Sequence, residues 1–591
     1  MLKYTSMCGI FSYVGQETNA GEIILDGLKA LEYRGYDSWG VAIKTEKNIY
    51  IQKQVGKIGE AKLPKLKSSI GIGHTRWATH GGVTKQNAHP HTDCKNKIII
   101  VHNGIIENFQ ELKKKLNKKH IFRSETDTEV VCHLIEERVQ KNNNLKKVVL
   151  DVFKMLQGLN AIIIFFPEKE EFYAIKNSSP LIFGYNKKTK TSYLASDSSA
   201  ILVHTNNLYF LEDNEILMIS RNKNELFDLN LKNKKIKFTK LEIPKQLFSL
   251  GSYPHYMIKE IMEQPKIIEN ILSTQKQNIN QLTQIVKKAY GTYLIGCGTA
   301  SYAALAGTYI LSKIAKHHTN FSIGSEFEYL VDFLKETSLV IALSQSGETI
   351  DTISAVKKAK AKGAKIASVT NVLGSTLYRM GDYKLLLNAG PEKAVCSTKS
   401  FVAKIVVLYL LAYSLKDQYE IGVEHLKKAI TETHKLLDSE QVKKLTHFLK
   451  NKKHIFILGR GVSYPAALES ALKIKEVSYI HAEGFAGGEL KHGVLALIEK
   501  GTPVIVYNPE DETYADTLSS ANEVKARGAY VIGISSIHNS VFDEFIKVEN
   551  CGDATIIPNV VVAQLLGYYL AVALGYDPDK PRNLAKSVTV K

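Results

Sequence analysis

The residue with the clearest chemical potential is Cys8, which stands close enough to the start of the chain to become its first residue. A cysteine thiolate is a strong nucleophile once a base takes the thiol proton, and an adjacent α-amino group, whose ordinary pKa is about 7.7 to 8.0, can be that base. Residues 1–7 precede Cys8, so this chemistry requires the leader to be absent. The position therefore predicts an N-terminal nucleophile only if other residues of the chain need one.

A second group of reactive side chains shares one helix face. Glu469, Lys473 and Glu476 are spaced i, i+4 and i+7 in a helix that follows Gly461. Two carboxylates beside a lysine could pass protons between neighbouring carbon atoms of a substrate. The alternative is an exposed ion pair worth about 0.3 to 0.5 kcal/mol, but small and apolar neighbours leave little of this helix for water. The spacing therefore favours a buried acid–base group.

Three turns rich in serine and threonine favour a phosphate site: 298–301, 344–349 and 396–399. Hydroxyls and backbone N–H groups at the start of a helix suit an anion. A nucleotide is disfavoured because neither GxGxxG nor GxxxxGK[ST] is present. Ordinary helix caps are the alternative, but three such turns together favour a phosphate monoester. The corresponding turn of an internal repeat, 508–511, is acidic, so one phosphate site per chain is expected.

Two further reactive residues lie towards the end of the chain. His492 stands between glycines and could act as an acid or base near neutral pH, although an ordinary loop histidine is the commoner explanation. The segment 581–591 is not a charge run, and an amine held in a site could form a Schiff base with a carbonyl sugar. A frayed terminus is the alternative. Neither feature decides the function by itself.

The elements that position these residues fall into two parts. From residue 8 to about 240, short β-rich segments and two helices, over 20–31 and 128–140, predict an α+β domain with sheet packed on sheet or on helix. Prolines and a glycine mark a linker over 241–254. Beyond it, three segments recur in order at a nearly constant offset: 293–298 matches 454–461, 340–352 matches 504–517, and 362–364 matches 527–529. The repeat predicts two copies of one α/β unit around a mostly parallel sheet.

Composition disfavours several classes of protein. The net charge of +18 comes from 77 basic and 59 acidic residues, but the lysines are scattered and no nucleic-acid-binding motif accompanies them. The six cysteines lie far apart, without CxxC or a Cys/His cluster at metal-ligand spacing, which predicts reduced thiols in a cytoplasmic protein without structural zinc. The apolar runs 405–415 and 560–575 are too short or interrupted to span a bilayer, and residues 1–7 contain no signal-peptide core.

Six long motifs run through the chain: LEYRGYDS (31–38), HTRWATHG (74–81), VHNGIIEN (101–108), SETDTE (124–129), LSQSGET (343–349) and PRNLAKSVTV (581–590). With them the chain resembles, from Cys8 onward, the family of glutamine-fructose-6-phosphate aminotransferases (isomerising), also called glucosamine-6-phosphate synthases. The resemblance implies an α+β N-terminal-nucleophile (αββα) glutaminase domain over 8–240. Two α/β sugar-isomerase (SIS) domains with parallel sheets would follow over 255–440 and 441–575, and a catalytic tail over 576–591.

In the glutaminase half, the resemblance implies that Cys8 attacks the amide of glutamine. Asn103 and the backbone N–H of Gly104 would stabilise the charge that develops on the amide oxygen. The glutamine-binding residues implied in the same way are Arg34, Arg76, Trp77, Thr79, His80 and Asp127. Arg76 would hold the carboxylate of glutamine and Asp127 its ammonium, while Arg34 supports the nucleophile and Trp77 gates an ammonia tunnel. These roles presuppose a free Cys8 amine, so we expect a mature chain that begins at Cys8, by internal initiation or by removal of a short propeptide.

In the synthase half, the resemblance implies sugar-phosphate binding and isomerisation. The matching sugar-phosphate contacts are Thr299, Ser344, Gln345, Ser346, Thr349 and Ser397. Lys586 matches the Schiff-base lysine, His492 the ring-opening residue and Glu476 the base that moves a proton between C1 and C2. Glu469 and Lys473 would assist. Because the residue matching His492 comes from a neighbouring subunit, a homodimer is the smallest active unit expected, and neither a cofactor nor a metal is expected.

Three hypotheses remain at this point. The first is an enzyme that makes glucosamine 6-phosphate and glutamate from fructose 6-phosphate and glutamine, the first step of hexosamine synthesis. The second is an ammonia-dependent aminating isomerase whose glutaminase is inactive because the leader is retained. The third is a sugar-phosphate-sensing binding protein, which would leave Glu476 and Lys586 without a task. Departures from the family pattern at Trp39, Ala300 and Val494 remove no catalytic group.

Overall fold

The computed structural model describes residues 8–177, 179–241 and 249–588. The chain forms two compact units, one of residues up to Ser249 together with those from Ala585 onward, and one of Leu250–Leu584. The predicted leader, 1–7, lies outside the described residues, as does half of the predicted linker, 242–248. Of the described residues of the predicted catalytic tail, 576–584 group with the second unit and 585–588 with the first.

Two antiparallel sheets form the middle of the first unit. Among the described residues, the eight-stranded sheet has the spatial order β15 (Thr239–Lys240), β11 (Asn207–Phe210), β9 (Ile182–Asn186), β10 (Thr191–Ala195), β1 (Gly9–Val14), β4 (Ile70–Arg76), β2 (Ser38–Lys44) and β3 (Ile49–Val55). The seven-stranded sheet has the order β14 (Asn233–Lys234), β13 (Asn224–Phe227), β12 (Ile216–Ser220), β8 (Glu171–Asn177), β7 (Asn160–Phe166), β6 (Ile99–Gly104) and β5 (His91–Thr92). The helices are α1 (Ala20–Ala30), α2 (Phe109–Lys115), α3 (Glu129–Val139) and α4 (Leu145–Phe153).

The side chains of β6 show why the layers stack as they do. Ile99 and Val101 belong to the apolar cluster between the two sheets, whereas Ile100 belongs to the cluster under α2–α4. Successive strand residues point to opposite faces, so a wholly apolar strand is buried on both. On the outer face of the other sheet, a Cβ at Gly73 would meet Ile24 and Leu28 of α1 at 2.7 Å, so glycine lets that helix lie close. The predicted αββα arrangement is confirmed.

The second unit contains two parallel sheets of five strands each among its described residues. The first sheet runs β17 (Thr319–Ile323), β16 (Gly291–Gly296), β18 (Ser338–Ser344), β19 (Lys365–Thr370) and β20 (Tyr383–Leu386). The second runs β22 (His481–Ala486), β21 (His454–Gly459), β23 (Pro503–Tyr507), β24 (Tyr530–Ser535) and β25 (Glu544–Lys547). Each sheet thus has the strand order 2-1-3-4-5, which confirms the predicted repeat.

Helices cover both sheets. They are α5 (Tyr256–Met262), α6 (Gln264–Thr274), α7 (Lys276–Lys288), α8 (Thr299–Ala315), α9 (Gly324–Phe327), α10 (Ile350–Ala361), α11 (Thr376–Met380), α12 (Lys399–Leu415), α13 (Tyr419–Leu437), α14 (Glu440–Leu449), α15 (Ser463–Ser478), α16 (Tyr514–Lys525) and α17 (Ile556–Ala573). One apolar cluster joins α8 and α12 of the first repeat to α15 and α17 of the second. The two repeats therefore share a core.

Within the described part of the chain, one helical stretch, Gly552–Ala573, is long and apolar enough to cross a membrane, with 22 residues and a mean hydropathy of 1.7. It extends the apolar run seen in the sequence because the helical structure begins earlier. Inside the unit, 83% of its apolar window is buried, and α17 packs against α13, α14 and α15. This is the pattern of a core helix, and one such helix is weak support for membrane insertion.

Candidate functional site

Cys8 lies at the start of β1, where strand pairing fixes its neighbours. β1 pairs with β4 so that Gly9 faces Thr75, whose hydroxyl accepts a hydrogen bond from the Gly9 N–H at 3.0 Å. Cys8 Sγ accepts from the N–H of Trp77 at 3.4 Å and lies 3.7 Å from the Trp77 carbonyl oxygen. Cys8 is 9% exposed. The thiol is thus held in a nearly buried position beside the end of β4.

Asn103 and Arg34 both hold the backbone of Cys8. Asn103 Nδ2 donates to the Cys8 carbonyl oxygen at 2.9 Å, and Arg34 Nε donates to the same oxygen at 3.3 Å. Asn103 is itself oriented by His74, whose Nε2 lies 3.2 Å from Asn103 Oδ1, and Arg34 pairs with Asp197 at 3.5 Å. The residue that would react is therefore positioned by two side chains with partners of their own.

Gly104, the last residue of β6, follows Asn103 in a conformation that favours glycine. Its φ is +133°, and a Cβ at this position would lie 1.9 Å from the carbonyl oxygen of Leu159. A side chain would displace the backbone here. The geometry therefore requires glycine at the position whose N–H is predicted to contact a developing oxyanion.

Arg76 organises the loop that follows β4. Its guanidinium donates to the carbonyl oxygens of residues 80, 81 and 82 at 2.5, 3.3 and 3.1 Å. The charges of Cys8 and Asp127 both act on the pKa of Arg76, although its burial has the larger effect and lowers it. Asp127 is 4% exposed and accepts from the N–H of Ile106 at 2.7 Å. A cation and a carboxylate thus lie in one region with the thiol, as two ends of an amino acid would require.

Aromatic contacts and one unpaired nitrogen mark the remaining predicted glutamine-binding residues. The ring of Trp77 packs edge-on against Tyr36 with centroids 5.1 Å apart, and the ring of His80 packs against Phe109 at 5.4 Å. In the described part of the chain, His80 Nδ1 is buried without a hydrogen-bond partner. Thr79 is half-buried. His80 therefore offers a polar atom that a ligand could satisfy.

Burial raises the pKa of the Cys8 thiol to about 11, although the Trp77 N–H and the charges of Arg76 and Arg34 act in the opposite direction. At neutral pH the group is a thiol, and a base must take its proton before it can attack. The contact described for Sγ as a donor is the Trp77 carbonyl, which is not such a base. The site therefore needs a further basic group close to Cys8.

Four buried histidines form a connected layer that contacts Asn103 through His74: His74, His89, His91 and His102, each at most 5% exposed. His74 stacks on His89 with ring centroids 4.1 Å apart, and His89 Nδ1 accepts from the backbone N–H of His102 at 3.3 Å. Burial lowers the pKa of all four, that of His74 to about 3. This histidine layer is therefore uncharged at neutral pH.

The histidine layer predicts that the first unit loses stability in mild acid. Each folded pKa lies below the unfolded value, so the stability is present above about pH 6.5 and is lost as the pH falls, by at most about 1.4 kcal/mol per pH unit for each histidine. Both tryptophans, Trp39 and Trp77, belong to this unit. Urea unfolding followed by tryptophan fluorescence at about pH 7.5 and about pH 5.5 therefore measures the effect. His91→Gln should reduce the dependence of the unfolding free energy on pH by the contribution of one histidine. Equal urea midpoints at the two pH values would contradict the prediction.

In the second unit, Lys473 lies at the centre of a buried charged cluster on α15. Its Nζ lies 3.3 Å from Glu469 Oε1 and 3.0 Å from Glu476 Oε2. The side chains of Glu469 and Lys473 are fully buried, and that of Glu476 is 20% exposed. The predicted face of the helix is thus a set of direct contacts, and the exposed ion pair is excluded.

Lys473 also connects two of the turns that carry hydroxyls. It donates to Thr299 Oγ1 at 2.9 Å and to the carbonyl oxygen of Ser397 at 3.0 Å. Thr299 in turn donates to Glu469 Oε1 at 3.2 Å, and the Ser397 hydroxyl donates to Glu392 at 3.2 Å. One lysine therefore joins the start of α8, the turn before α12, and α15.

Opposing effects set the charges of this cluster. Burial raises the pKa of Glu469 to about 7, against the influence of Lys473. Burial alone would lower the pKa of Lys473, but the neighbouring carboxylates of Glu469 and Glu476 keep it well above its ordinary value. Cys396 Sγ donates to Glu476 Oε2 at 3.0 Å. A fixed cation thus stands beside a carboxyl group that can change its proton near neutral pH, which suits acid–base chemistry.

The turn 344–349 lies at the carboxyl end of β18. Ser344 Oγ accepts from the N–H of Gly347 at 2.9 Å and lies 3.3 Å from the Thr349 hydroxyl. Ser346 Oγ accepts from the N–H of Glu348 at 3.1 Å. Gly347 has a φ of +67°, and a Cβ there would lie 2.0 Å from Ser375 Oγ. Gln345 is half-buried. Because β16 and β18 are neighbouring parallel strands, this turn and Thr299 share one edge of the sheet.

Two predicted catalytic residues lie in other segments of the chain. His492 is exposed at the end of the 3₁₀ segment Gly487–His492, before Gly493 with a φ of +151°. Lys586 is half-buried and belongs to the residues of the first unit, whereas Glu476 belongs to the second. The residues brought together by direct contact in the second unit are therefore Thr299, Ser397, Glu469, Lys473 and Glu476.

Sequence patterns missed several residues that shape these sites. His74 orients Asn103, Cys396 contacts Glu476, and Glu392 receives the Ser397 hydroxyl. The position of Cys396 in a hydroxyl-rich turn was the signal that could have identified it. Of the departures from the family pattern, Trp39 is buried opposite Thr75 of β4, Ala300 is buried, and Val494 is half-buried.

Family models match both units. A glutamine amidotransferase domain model matches residues 74–203, and a SIS domain model matches 285–414 and 448–573. The amidotransferase match covers the end of β4, β6 and α3, which carry several of the residues around Cys8. The two SIS matches fall on the two parallel sheets. The matches therefore agree with one glutamine amidotransferase domain followed by two SIS domains.

Curated relatives match along the whole chain. The glutamine–fructose-6-phosphate aminotransferase [isomerizing] of Pyrococcus horikoshii is 42% identical over 608 residues, which cover 99% of this chain and 100% of the relative. That of Thermococcus kodakarensis is 40% identical over 605 residues with the same coverage. The solved C-terminal domain of glucosamine-fructose-6-phosphate aminotransferase from Francisella tularensis is 31% identical with a TM-score of 0.50, covering 56% of this chain and 99% of that one. This chain therefore belongs to the enzyme family of glutamine–fructose-6-phosphate aminotransferases (isomerizing).

Proposed function

We propose that this enzyme moves the amide nitrogen of L-glutamine to D-fructose 6-phosphate and isomerises the product to D-glucosamine 6-phosphate, releasing L-glutamate. The observation that carries the proposal is the buried contact of Lys473 with Glu469, Glu476 and Thr299. A buried charge cluster that contains a protonatable carboxyl is costly to a fold, and proton transfer on a sugar phosphate gives it a task. A sugar-phosphate-sensing protein would have no such need.

In the first unit, Cys8 is the nucleophile for the glutamine amide. The side chain of Asn103 and the N–H of Gly104 stabilise the oxygen that becomes negative as the tetrahedral intermediate forms. Arg76 binds the carboxylate and Asp127 the ammonium of glutamine, while Arg34 holds the Cys8 carbonyl and thereby the position of the thiol.

The raised pKa of the Cys8 thiol, about 11, supports the need for a base beside it. A free α-amine of Cys8 is that base, so the leader 1–7 must be absent from the active chain. Thr79 and His80 line the same pocket. Trp77 closes the passage through which ammonia leaves, since ammonia that reaches water is protonated and is no longer a nucleophile.

In the second unit, polar side chains of the phosphate-binding turns hold the substrate. They are Thr299, Ser344, Gln345, Ser346, Thr349 and Ser397. Lys586 forms the Schiff base with the open-chain sugar, and ammonia replaces it at C2. Glu476 carries a proton between C1 and C2, with Lys473 as its fixed counter-charge and Glu469 as a second proton carrier.

The proposed enzyme is a homodimer of chains that each contain three domains. His492 opens the sugar ring in the site of a neighbouring subunit, so the active protein is at least a homodimer. Its exposure in a single chain agrees with that role. The glutaminase domain spans 8–240 and the SIS domains 255–440 and 441–575, and the protein works in the cytoplasm.

The proposal is tested by following the nitrogen atom. The protein is supplied with fructose 6-phosphate and glutamine carrying an isotope label on its amide nitrogen, and glucosamine 6-phosphate is identified by mass spectrometry. We expect the label in the product and one glutamate per sugar. The control replaces glutamine with a labelled ammonium salt at the same concentration, which should react far more slowly near neutral pH. Faster synthesis from ammonium than from glutamine would contradict the proposal.

A further inference from the structure

Four side chains with metal-binding atoms converge in the first unit. Cys94 lies in the turn between β5 and β6, His120 in the loop after α2, and His133 and Glu136 on α3. One ligand atom from each lies within 4.8 Å of all the others. None of the four is assigned to the reaction. Their spacing along the chain matches no metal motif, which is why the sequence predicted no metal site, and the fold brings them together.

The distances within the cluster fit a tetrahedral ion. Cys94 Sγ is 3.5 Å from His120 Nδ1 and 3.7 Å from His133 Nδ1. Glu136 Oε2 is 3.2 Å from His120 Nδ1 and 3.0 Å from His133 Nδ1. Zinc bonds of about 2.3 Å to sulfur and about 2.0 to 2.2 Å to nitrogen or oxygen, at tetrahedral angles, separate such atoms by about 3.5 Å and about 3.3 Å. Four of the six separations thus lie close to those that the ion requires, and the other two are within 4.8 Å.

The outer nitrogen of each histidine faces a carboxylate. His120 Nε2 lies 3.2 Å from Glu137 Oε1, and His133 Nε2 lies 3.8 Å from Glu129 Oε1. In metal sites, the histidine nitrogen that does not bind the ion commonly donates to a carboxylate, which orients the ring and makes the other nitrogen a better ligand. Both histidines therefore present Nδ1 to the cluster. His120 Nε2 has a carboxylate within hydrogen-bond distance, whereas His133 Nε2, among the described residues, lies near Glu129 without a hydrogen bond to it.

A hydrogen-bonded cluster without metal explains these contacts less completely. The Cys94 thiol has one proton, so it can donate to one histidine nitrogen but not to both. Glu136 Oε2 would accept from both imidazoles and also from the Cys94 N–H at 3.3 Å. His133 is fully buried, and the side chains of His120 and Glu136 are 9% and 10% exposed. One divalent cation accounts for all four contacts together.

We infer that Cys94, His120, His133 and Glu136 bind one Zn²⁺ in a closed structural site. A thiolate, two imidazoles and a carboxylate suit zinc, which accepts sulfur, nitrogen and oxygen ligands in tetrahedral geometry. Binding displaces the thiol proton of Cys94 and leaves both histidines neutral. Four protein ligands fill the coordination shell, so no water is activated and the ion has no part in the chemistry.

The site joins segments that lead to the proposed glutamine pocket. The turn with Cys94 precedes β6, which ends at Asn103 and Gly104, and α3 begins just after Asp127. Arg123 reinforces this junction by donating to the carbonyl oxygen of Cys94 at 3.1 Å. Zinc therefore stabilises the first unit and the position of Asp127. This effect on glutamine binding rests on the proposed function, whereas zinc binding itself does not.

The test begins with the metal content of the full chain. The protein is purified without added metal and without a metal-affinity column. It is dialysed first against Zn²⁺ and then against metal-free buffer, and its zinc content is measured by inductively coupled plasma mass spectrometry. We expect about one zinc ion per chain. Replacement by Co²⁺ should give the visible bands of tetrahedral cobalt and a thiolate-to-cobalt charge-transfer band. A chain that keeps no zinc and shows no such band with Co²⁺ would overturn the inference, whether or not it makes glucosamine 6-phosphate.

Variants then locate the site. Cys94→Ser should remove the charge-transfer band and weaken zinc binding at least about tenfold. Cys132→Ala and Cys8→Ala, which change other buried thiols of the same unit, should keep both. In urea unfolding followed by tryptophan fluorescence, a chelator should lower the midpoint of the unchanged chain and Zn²⁺ should restore it. If Cys94→Ser does not fold, this chelator response carries the test, and its absence would overturn the inference.

Discussion

Replacing Cys8 with alanine is expected to reduce glutamine-dependent synthesis of glucosamine 6-phosphate at least about a thousandfold, while ammonium-dependent synthesis stays within about twofold of the unchanged protein. The side chain that attacks the amide is lost, but the hydrogen bonds of Asn103 and Arg34 go to the Cys8 backbone oxygen and survive the change. The phosphate-binding turns and the Lys473 cluster belong to the other unit, and Lys586, in the same unit as Cys8, is not altered. The substitution should therefore abolish the glutamine-dependent rate and leave the ammonium-dependent rate nearly unchanged.

The measurement compares initial rates of the Cys8→Ala chain with glutamine and with an ammonium salt at saturating fructose 6-phosphate. Cys132→Ala serves as the matched control, because Cys132 is a buried thiol of the same unit that contacts no substrate in the proposed mechanism. It should keep both activities. An equal loss with both nitrogen sources in Cys8→Ala would assign Cys8 a structural role and contradict its role as nucleophile.

Replacing Lys473 with methionine is expected to lower the rate of synthesis at least about a hundredfold with glutamine and with ammonium alike. Methionine keeps most of the volume of the side chain but removes the cation that contacts Glu469, Glu476 and Thr299. Glu469, whose pKa burial has already raised to about 7, then takes up a proton. The group proposed to carry protons between C1 and C2 thus loses its counter-charge and one of its partners.

Lys475→Met is the matched control for that change, because Lys475 lies on the same helix and is exposed. Glutamine hydrolysis measured without sugar phosphate checks that the first unit is intact, and circular dichroism on heating checks the second. We expect the larger effect on kcat and a smaller rise in the KM for fructose 6-phosphate, because Lys473 also contacts Thr299 and Ser397 of the phosphate-binding turns. A Lys473→Met enzyme with a normal kcat would exclude the cluster from the chemistry.

The fold was largely predictable where the pattern of the chain is local. The helices predicted over 20–31 and 128–140 occur at Ala20–Ala30 and Glu129–Val139. The repeated strand–turn–helix segments predicted two equivalent sheets, and both have the same strand order. Hydrophobic periodicity and recurring glycines determine such elements within a few turns of chain, so the sequence alone is enough to find them.

The sites were predictable to a smaller extent, because most of their contacts join distant parts of the chain. Glu469, Lys473 and Glu476 could be found because one helix turn separates them. The contact of Arg34 with the Cys8 carbonyl depends on how β1 and the segment after α1 pack, and no spacing along the chain reveals it. Arg76 and Asp127 were identified through the family resemblance, not through a local pattern. The cluster around Cys94 could not be predicted for the same reason, because its four residues are spread over separate segments of the chain.

Helix α17 has a consequence for how the polypeptide is made. Its 22-residue apolar stretch is the kind of segment that hydrophobic surfaces in the cell would capture if it stayed uncovered. Its packing partners, α13, α14 and α15, all precede it in the chain and have left the ribosome before it is translated. The helix can therefore dock as it emerges. A chain truncated before Gly552 would lack α17, and the apolar faces of α13, α14 and α15 that pack against it would stay exposed and promote aggregation.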